Sequence, residues 1–270
     1  MIVWWCSPSS AKTRRTSNPL SSPGSVVLST VEFAVVWEAQ RLPAAHVALD
    51  TRIPSITHTE KAEVVKRAWE SLEARGLANN GRVVSELADG FALLANSTTA
   101  IDLWIWADRQ ISGLAAAIGD EAILAVQDRD EMWLIEARGT ALAEAAVSVA
   151  GDMPAGYGRS ISLPYDDLVA AAKDVGLDAQ RMITTLERQG MRLGDAQELA
   201  GMLDGTSTRG QFGVQRNGRR AGRVVSFHDT HNGRYLRQLK PSSDGRKWCT
   251  ITPVDNHRLA ASIWELLQEV

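Results

Sequence analysis

Apolar residues recur every three or four positions in the first third of the chain, a spacing that predicts amphipathic helices. Ser29 stands three residues before Glu32, a capping-box pattern that marks the start of the first helix. Gly76 supplies a stop signal for the second. The later helices of this half are predicted over 59–75, 83–94 and 140–150.

Between residues 100 and 135 the period shortens to runs of β-branched and aromatic residues, which favours strands. Four runs are separated by turn residues, so they predict an antiparallel meander. The runs span 100–106, 111–118, 122–127 and 132–135. Residues 151–158 contain Pro154 and several glycines, and we expect a hinge there.

The second half repeats this order of helices followed by strands. Helices are predicted after Pro164, over 178–189 and 195–203, and from Asp255 onward. Strands are predicted over 210–216, 223–229, 234–239 and 247–252. The dipeptides Asn217-Gly218 and Asn232-Gly233 are typical of hairpin turns and separate consecutive strands.

A short echo supports two similar halves. Leu-Glu-Ala-Arg-Gly-Leu at 72–77 resembles Leu-Glu-Arg-Gln-Gly-Met at 186–191, and an Asp-Gly pair follows each, at 89–90 and 204–205. We therefore predict an α+β (mixed α/β) protein with two quasi-symmetric halves sharing a central, largely antiparallel sheet.

The predicted halves span 26–151 and 152–270 and form one two-lobed domain. Residues 1–25 are rich in Ser and Pro, so we expect a disordered extension there and hypothesise that it lies upstream of the natural start.

Composition narrows the function. The chain has 270 residues, 44% of them hydrophobic, with a net charge of -3, which is ordinary for a globular protein and gives no global attraction for nucleic acid or anionic membranes. Its two cysteines, Cys6 and Cys249, cannot build a disulfide framework and fit a reducing cytoplasm. No apolar run reaches the length of a membrane span.

The polar motifs favour no catalytic site. Residues 226–229 (Ser-Phe-His-Asp) lack the elbow that presents a catalytic serine. His228, His231 and Asp229 could ligate zinc, but a solvated hairpin end is the favoured interpretation. Neither a dinucleotide fingerprint nor a phosphate-binding loop is present. We predict no catalytic residues, no metal and no cofactor.

Tryptophan is a more informative residue here. Trp104 and Trp106 alternate onto one face of a predicted strand, and Trp133 belongs to a nearby strand of the meander. A core role beneath helices is favoured for this face. The alternative is a partly open platform for an apolar segment of a partner.

Three motifs in the second half resemble the EspG family of ESX (type VII) secretion-associated proteins of actinobacteria. They are Thr-Arg-Gly-Gln-Phe-Gly at 208–213, Asp-Thr at 229–230 with Gly-Arg-Tyr at 233–235, and Thr-Pro-Val-Asp at 252–255 leading into Arg258. The first half agrees in outline, and the resemblance covers about residues 27–270. The resemblance implies that helical bundles flank the shared sheet.

The resemblance implies a cytosolic chaperone and not an enzyme. It implies binding to the helical tip of PPE-type substrates, usually paired with PE-type proteins, which keeps them soluble before export. The charge and the lack of a long apolar run predict no nucleic-acid partner and no direct membrane insertion, and we expect the free form to be a monomer or weak dimer. The alternatives are an enzyme with a pocket between the halves, lined by Asp229, His228 or Arg234, and a structural or regulatory interaction protein.

The family's partner surface implies a role for residues 107–119 and for the helices of 166–203. The candidate partner-binding residues are Trp104, Trp106, Gln211, Phe212 and Arg234. The tryptophans would supply apolar surface, Gln211 and Phe212 would act at the sheet, and Arg234 would be a polar anchor. Gly233 and Arg234 have structural roles as their alternative.

Overall fold

The computed structural model describes residues 25–54, 57–173, 179–242 and 245–270. The predicted extension lies outside these residues except for Ser25, which begins a strand rather than belonging to a disordered segment. The chain divides into two units. The described residues of unit 1 are those up to Trp104, Gln110–Gly151 and Gln215–Arg219, and those of unit 2 are Ile105–Arg109, Asp152–Val214 and Arg220–Val270.

Unit 1 contains an antiparallel strand array in the order β1, β7, β6, β5, β4. Its elements are β1 (Ser25–Ser29), α1 (Thr30–Ala39), α2 (His58–Ala74), β2 (Ala78–Asn79), β3 (Arg82–Val83), α3 (Ser85–Asn96), β4 (Thr99–Trp106), β5 (Gln110–Ile118), β6 (Glu121–Asp128), β7 (Glu131–Arg138) and α4 (Leu142–Ser148), the last preceded by a 3-10 turn at Gly139–Ala141. The predicted helices and the four-stranded meander are confirmed, whereas β1 is an addition that pairs with β7.

The capping box predicted at the start of α1 is present. The Ser29 hydroxyl accepts from the Glu32 backbone N–H at 3.0 Å, and the Glu32 carboxylate accepts from the Ser29 N–H at 2.7 Å. Thr57 and Glu60 form a second capping box at the start of α2. Each box satisfies two backbone donors that a helix start would otherwise leave without partners.

One core cluster of unit 1 packs helices α1 and α3 on one face of its strands. Phe33 of α1 stacks on Phe91 of α3 with ring centroids 4.8 Å apart, and the two rings belong to the same cluster as Leu114, Met132 and Leu134 of the strands. Burying an apolar side chain of this size contributes about 1.5–3 kcal/mol. The helices are therefore held to this face mainly by apolar packing.

Unit 2 is built around the antiparallel strand order β9, β11, β12, β13, β8. Its elements are β8 (Ile161–Pro164), α5 (Tyr165–Lys173), α6 (Ala179–Arg188), α7 (Leu193–Leu203), β9 (Thr208–Arg216), β10 (Arg219–Arg220), β11 (Val225–Thr230), β12 (Gly233–Pro241), β13 (Lys247–Pro253) and α8 (Asn256–Leu267). Helices α5–α7 pack on the strand face that carries Leu163, Tyr235 and Ile251.

The sequence echo corresponds to the same helix ending in both units. At the end of α2 the Leu77 N–H donates to the Leu72 carbonyl at 2.9 Å, and Gly76 has a φ of 71°. After α6 the Met191 N–H donates to the Leu186 carbonyl at 3.0 Å. These are Schellman caps, in which a residue with positive φ ends the helix.

The similarity stops at the Asp-Gly pairs. Gly90 lies inside α3, whereas Gly205 follows the end of α7 with a φ of 63°. The echo therefore reflects a shared local helix-ending chemistry, and the two Asp-Gly pairs are not equivalent positions.

The two predicted hairpin turns have different outcomes. Asn217 and Gly218 both have positive φ, as a two-residue type I′ turn requires. The second turn is formed by His231 and Asn232, because Gly233 already pairs with Thr230 in the ladder. The fold class is confirmed as mixed α+β with a large antiparallel sheet.

Candidate partner interface

Accessibility separates the five candidate residues into two groups. Trp106 is 40% exposed, while Trp104 and Gln211 are half-buried. Phe212 and Arg234 have no exposed surface. Only the first group can touch a partner in this structure, and the expected surface roles of Phe212 and Arg234 give way to structural ones.

Trp104, Trp106 and Trp133 of the meander do not share one platform. Ala100 belongs to the core cluster with Leu114 and Leu134, and Trp104 and Trp106 have the same parity along β4. Trp133 pairs with Val126 and alternates with Leu134, so it lies on the opposite face of β7. Trp104 and Trp106 therefore lie at the end of β4 on the face that carries Ala100. Trp133 lies on the opposite face of the meander.

The predicted partner segment 107–119 is mostly a strand. In β5 the residues from Ile111 to Ala117 are all buried, which leaves residues 107–110 at one end and 118–119 at the other accessible. Sequence reasoning missed this because an Ala-rich run covered on both faces has no alternating polar positions. The accessible part of this segment is its two ends.

Arg234 forms a fully buried ion pair with Asp229. Its Nε and Nη2 donate to the two carboxylate oxygens at 2.7 and 2.8 Å, and its Nη1 donates to the Asn256 side chain. The guanidinium carbon lies 4.6 Å from the centroid of the Phe227 ring. A bidentate carboxylate and an aromatic face compensate the desolvation of a buried guanidinium.

The Arg234 backbone makes three hydrogen bonds to two other segments of the chain. Its N–H donates to the Pro154 carbonyl at 2.9 Å, and its carbonyl accepts from Gly156 and Val254 at 3.0 Å each. We call Asp229, Arg234 and these backbone contacts the Arg234 clamp. The clamp ties the segment entering unit 2 to the segment that leads into α8.

Glycines beside the clamp leave no room for a side chain. A Cβ on Gly233 would lie 2.7 Å from the Gly156 nitrogen, and one on Gly156 would lie 2.1 Å from the Tyr235 ring. Tyr235 also donates its hydroxyl to the Tyr157 carbonyl at 3.1 Å. The Gly-Arg-Tyr motif therefore has a packing explanation.

The 208–213 motif is explained in the same way. Phe212 stacks on Phe227 with centroids 5.7 Å apart. A Cβ on Gly210 would lie 2.1 Å from the Phe227 ring, so the strand needs glycine there. Gln211 alternates to the other face and keeps part of its surface accessible.

The polar groups considered for catalysis are committed to internal contacts. His228 Nε2 lies 2.9 Å from the Met202 carbonyl, and burial, followed by the positive charge of Arg237, lowers the pKa of His228. Asp229 lies on the opposite face of β11, where Arg234 takes both its oxygens. Among the described residues, no group of three or more His, Cys, Asp or Glu side chains is placed to hold a metal ion.

The helices of the predicted segment 166–203 present an accessible apolar edge. Met182, Ile183 and Met191 pack partly buried on the core of α5–α7, and Leu193 at the start of α7 is 49% exposed. We call these four residues the helical rim. Methionine adapts its shape to a partner, which makes such an edge suitable for binding.

Other exposed apolar side chains lie outside the predicted residues. Tyr157 is 80% exposed beside the clamp, and Trp248 is 36% exposed on β13. Tyr157 stands between two glycines, a sequence signal for an accessible loop that could have identified it. Trp248 has no comparable signal, because alternation alone does not say which strand face is covered.

A family model describes the chain from residue 29 to residue 265 as EspG family. The chain belongs to the EspG family. No curated protein matches it.

The EspG family assignment agrees with a solved structure, that of the Mycobacterium tuberculosis type VII secretion system chaperone EspG5 in complex with a PE25-PPE41 dimer. The likeness has a TM-score of 0.69 at 12% identity and covers 90% of this chain and 95% of the EspG5 structure's chain. At that identity the likeness shows a shared fold. No helix in the described part of the chain is long and apolar enough to cross a membrane.

Proposed function

We propose that this EspG-family protein is a type VII secretion chaperone of the cytoplasm. It binds a PPE-type protein, paired with a PE-type protein, and keeps that client soluble before export. The observation that carries the proposal is the family match over residues 29–265. The fold shared with EspG5, a chaperone solved with a PE25-PPE41 dimer, supports it.

The proposed client surface combines the helical rim with Trp106 and Gln211, all in unit 2, and Trp104 of unit 1 is proposed as a separate contact. These residues are accessible, and a rim of Met, Ile and Leu fits the apolar tip of a helical client. Phe212 and Arg234 are left out because they are buried. They act on binding only through the shape of unit 2.

Such a chaperone needs no nucleotide and no metal. Covering an apolar tip removes a surface that would otherwise drive aggregation. Binding to the folded client stabilises it by mass action, and release requires only a competing partner. The free chaperone is proposed to be a monomer or a weak dimer.

Co-expression tests the proposal. The protein is produced together with each PE–PPE pair encoded in its own genome, and the soluble fraction of each pair is measured with and without it. We expect at least one pair to become soluble and to co-purify as a stoichiometric complex. The proposal fails if every pair stays insoluble or separates from the chaperone on size-exclusion chromatography.

A further inference from the structure

The charges of this protein are segregated along the chain. Residues 205–228 contain five arginines and no Asp or Glu. The rest of the chain has 24 Lys and Arg against 32 Asp and Glu, a net charge of -8. The arginines lie on β9, on β10 and on the residues after β10, and we call residues 209–223 the basic hairpin.

Two of these arginines face each other at the hairpin tip. The turn residues Asn217 and Gly218 both have positive φ, so the flanking Arg216 and Arg219 are directly opposite each other and on one face. Like charges in this arrangement destabilise a hairpin. Within the described part of the chain, neither side chain has a hydrogen bond or an ion pair.

The tip is held in place by its backbone. The Asn217 N–H donates to the Thr98 carbonyl at 2.7 Å, and the Ala221 N–H donates to the Val214 carbonyl at 3.0 Å. A tight turn fixed in this way cannot separate the two guanidinium groups by unfolding locally without losing these bonds. Among the residues that the structure describes, no carboxylate pairs with either of these two adjacent positive charges.

Another arginine of the basic hairpin shows what such groups bind. Arg223 donates two hydrogen bonds to the Glu269 carboxylate, from Nε to Oε2 at 3.1 Å and from Nη2 to Oε1. That bidentate contact matches the fork of a guanidinium to a carboxylate. Arg223 is thus used for internal stability, while Arg216 and Arg219 are left for a partner.

We propose that the tip of the basic hairpin, formed by Arg216 and Arg219, docks a carboxylate-rich segment of a partner protein. Between residues 215 and 223 there is no aromatic residue and no long aliphatic one. Membrane surfaces and single-stranded nucleic acids are usually engaged by such residues together with basic ones. An acidic peptide segment needs only the paired guanidinium groups.

This site goes beyond the proposed client surface and does not depend on it. Trp106 is the last residue of β4, whereas Thr98, which binds the turn, precedes the first residue of that strand. A client held at Trp106 and an acidic segment held at the hairpin tip therefore use different ends of β4.

The test uses the full chain and a fluorescein-labelled peptide of alternating Glu and Ser, followed by fluorescence anisotropy. We expect the peptide to bind in a salt-dependent manner and the variant R216Q/R219Q to bind about ten-fold more weakly. The control R82Q/R188Q removes the same charge from exposed positions elsewhere, and we expect less than a two-fold change. Equal losses in both variants, or no binding at low salt, would overturn the proposal.

Two further measurements test whether the hairpin tip binds a protein segment specifically. Vesicles of phosphatidylcholine with phosphatidylglycerol and a single-stranded RNA are titrated in parallel, and tighter binding of either than of the peptide would overturn the assignment to a protein partner. Thermal unfolding of R216Q/R219Q should show a Tm raised by about 1–3 °C, since a like-charge pair is removed. A lowered Tm would show that the pair serves stability and would overturn the proposal.

Discussion

Two buried carboxylate–arginine pairs, one in each unit, differ in the exposure of the arginine. In unit 1, Glu32 is buried but Arg75 keeps 38% of its side chain exposed, and the carboxylate also accepts from the Ser71 hydroxyl at 2.7 Å. In unit 2, Asp229 and Arg234 are both buried, with 3% and 0% of their side chains exposed. Water therefore solvates part of the Glu32–Arg75 pair. The charges of Asp229 and Arg234 are compensated only by protein groups.

The buried pair of unit 2 lies in the second of the three sequence motifs at 208–213, 229–235 and 252–255, and these motifs have a structural role. Asp229, Arg234 and Val254 belong to the Arg234 clamp, Gly233 and Tyr235 lie beside it, and Gly210 and Phe212 pack on Phe227. Such residues preserve the shape of unit 2. We therefore propose that partner binding rests on accessible residues, chiefly the helical rim and Trp106.

The largest expected effect is at the clamp. Arg234→Met leaves Asp229 as an unpaired buried charge, so we expect the free energy of unfolding to fall by about 3–5 kcal/mol. Arg75→Met should lower the free energy of unfolding by about 1 kcal/mol or less, because the Ser71 hydroxyl and the Ser29 N–H still donate to the Glu32 carboxylate. Urea unfolding measures both, and equal costs would show that the two pairs do not differ as described.

The sequence predicted local features of this fold better than its long-range contacts. The Ser29 capping box and the Asn217-Gly218 turn depend on neighbouring residues, so both were readable from the chain. Strand β1 was missed because an edge strand is defined by its partner β7, far along the sequence. The burial of Arg234 was not predicted either, since charged residues are rarely buried unless a distant partner compensates them.

The Schellman caps test how alike the two units are. Gly76→Ala and Gly190→Ala should each lower the free energy of unfolding by about 1 kcal/mol, because alanine is disfavoured at positive φ. Gly201→Ala is the control, since Gly201 lies exposed inside α7 with open space around it, and it should raise stability by about 0.5–1 kcal/mol. A cost confined to one of the two caps would contradict their equivalence.

The smallest expected effect concerns pH and unit 2 alone. Burial lowers the pKa of His228 below 6.5 in the folded protein, while the unfolded chain binds the proton near that value. Stability should therefore be highest above pH of about 6.5 and fall as the pH drops toward the folded-state pKa.

His228→Gln should make that decline shallower, because the titrating group is gone while a donor to the Met202 carbonyl remains. The exposed His257→Gln serves as the control and should keep the wild-type slope. Chemical unfolding across this pH range measures both. An unchanged slope in His228→Gln would show that His228 is not the group responsible.

The central claim is that accessible apolar residues, and not the clamp, contact the client. Two exposed tryptophans allow a matched comparison, because Trp106 is 40% and Trp248 36% exposed and only Trp106 is assigned to the client surface. A second matched pair is Leu193→Asp on the helical rim and Val47→Asp on an exposed loop of unit 1.

Isothermal titration of a co-purifying PE–PPE pair into these variants tests the claim most directly. Trp106→Ala and Leu193→Asp should each weaken binding by about ten-fold or more, as expected for central apolar contacts. Trp248→Ala and Val47→Asp should bind like the wild type. Unchanged affinity in Trp106→Ala and Leu193→Asp, in proteins of wild-type stability, would contradict the account.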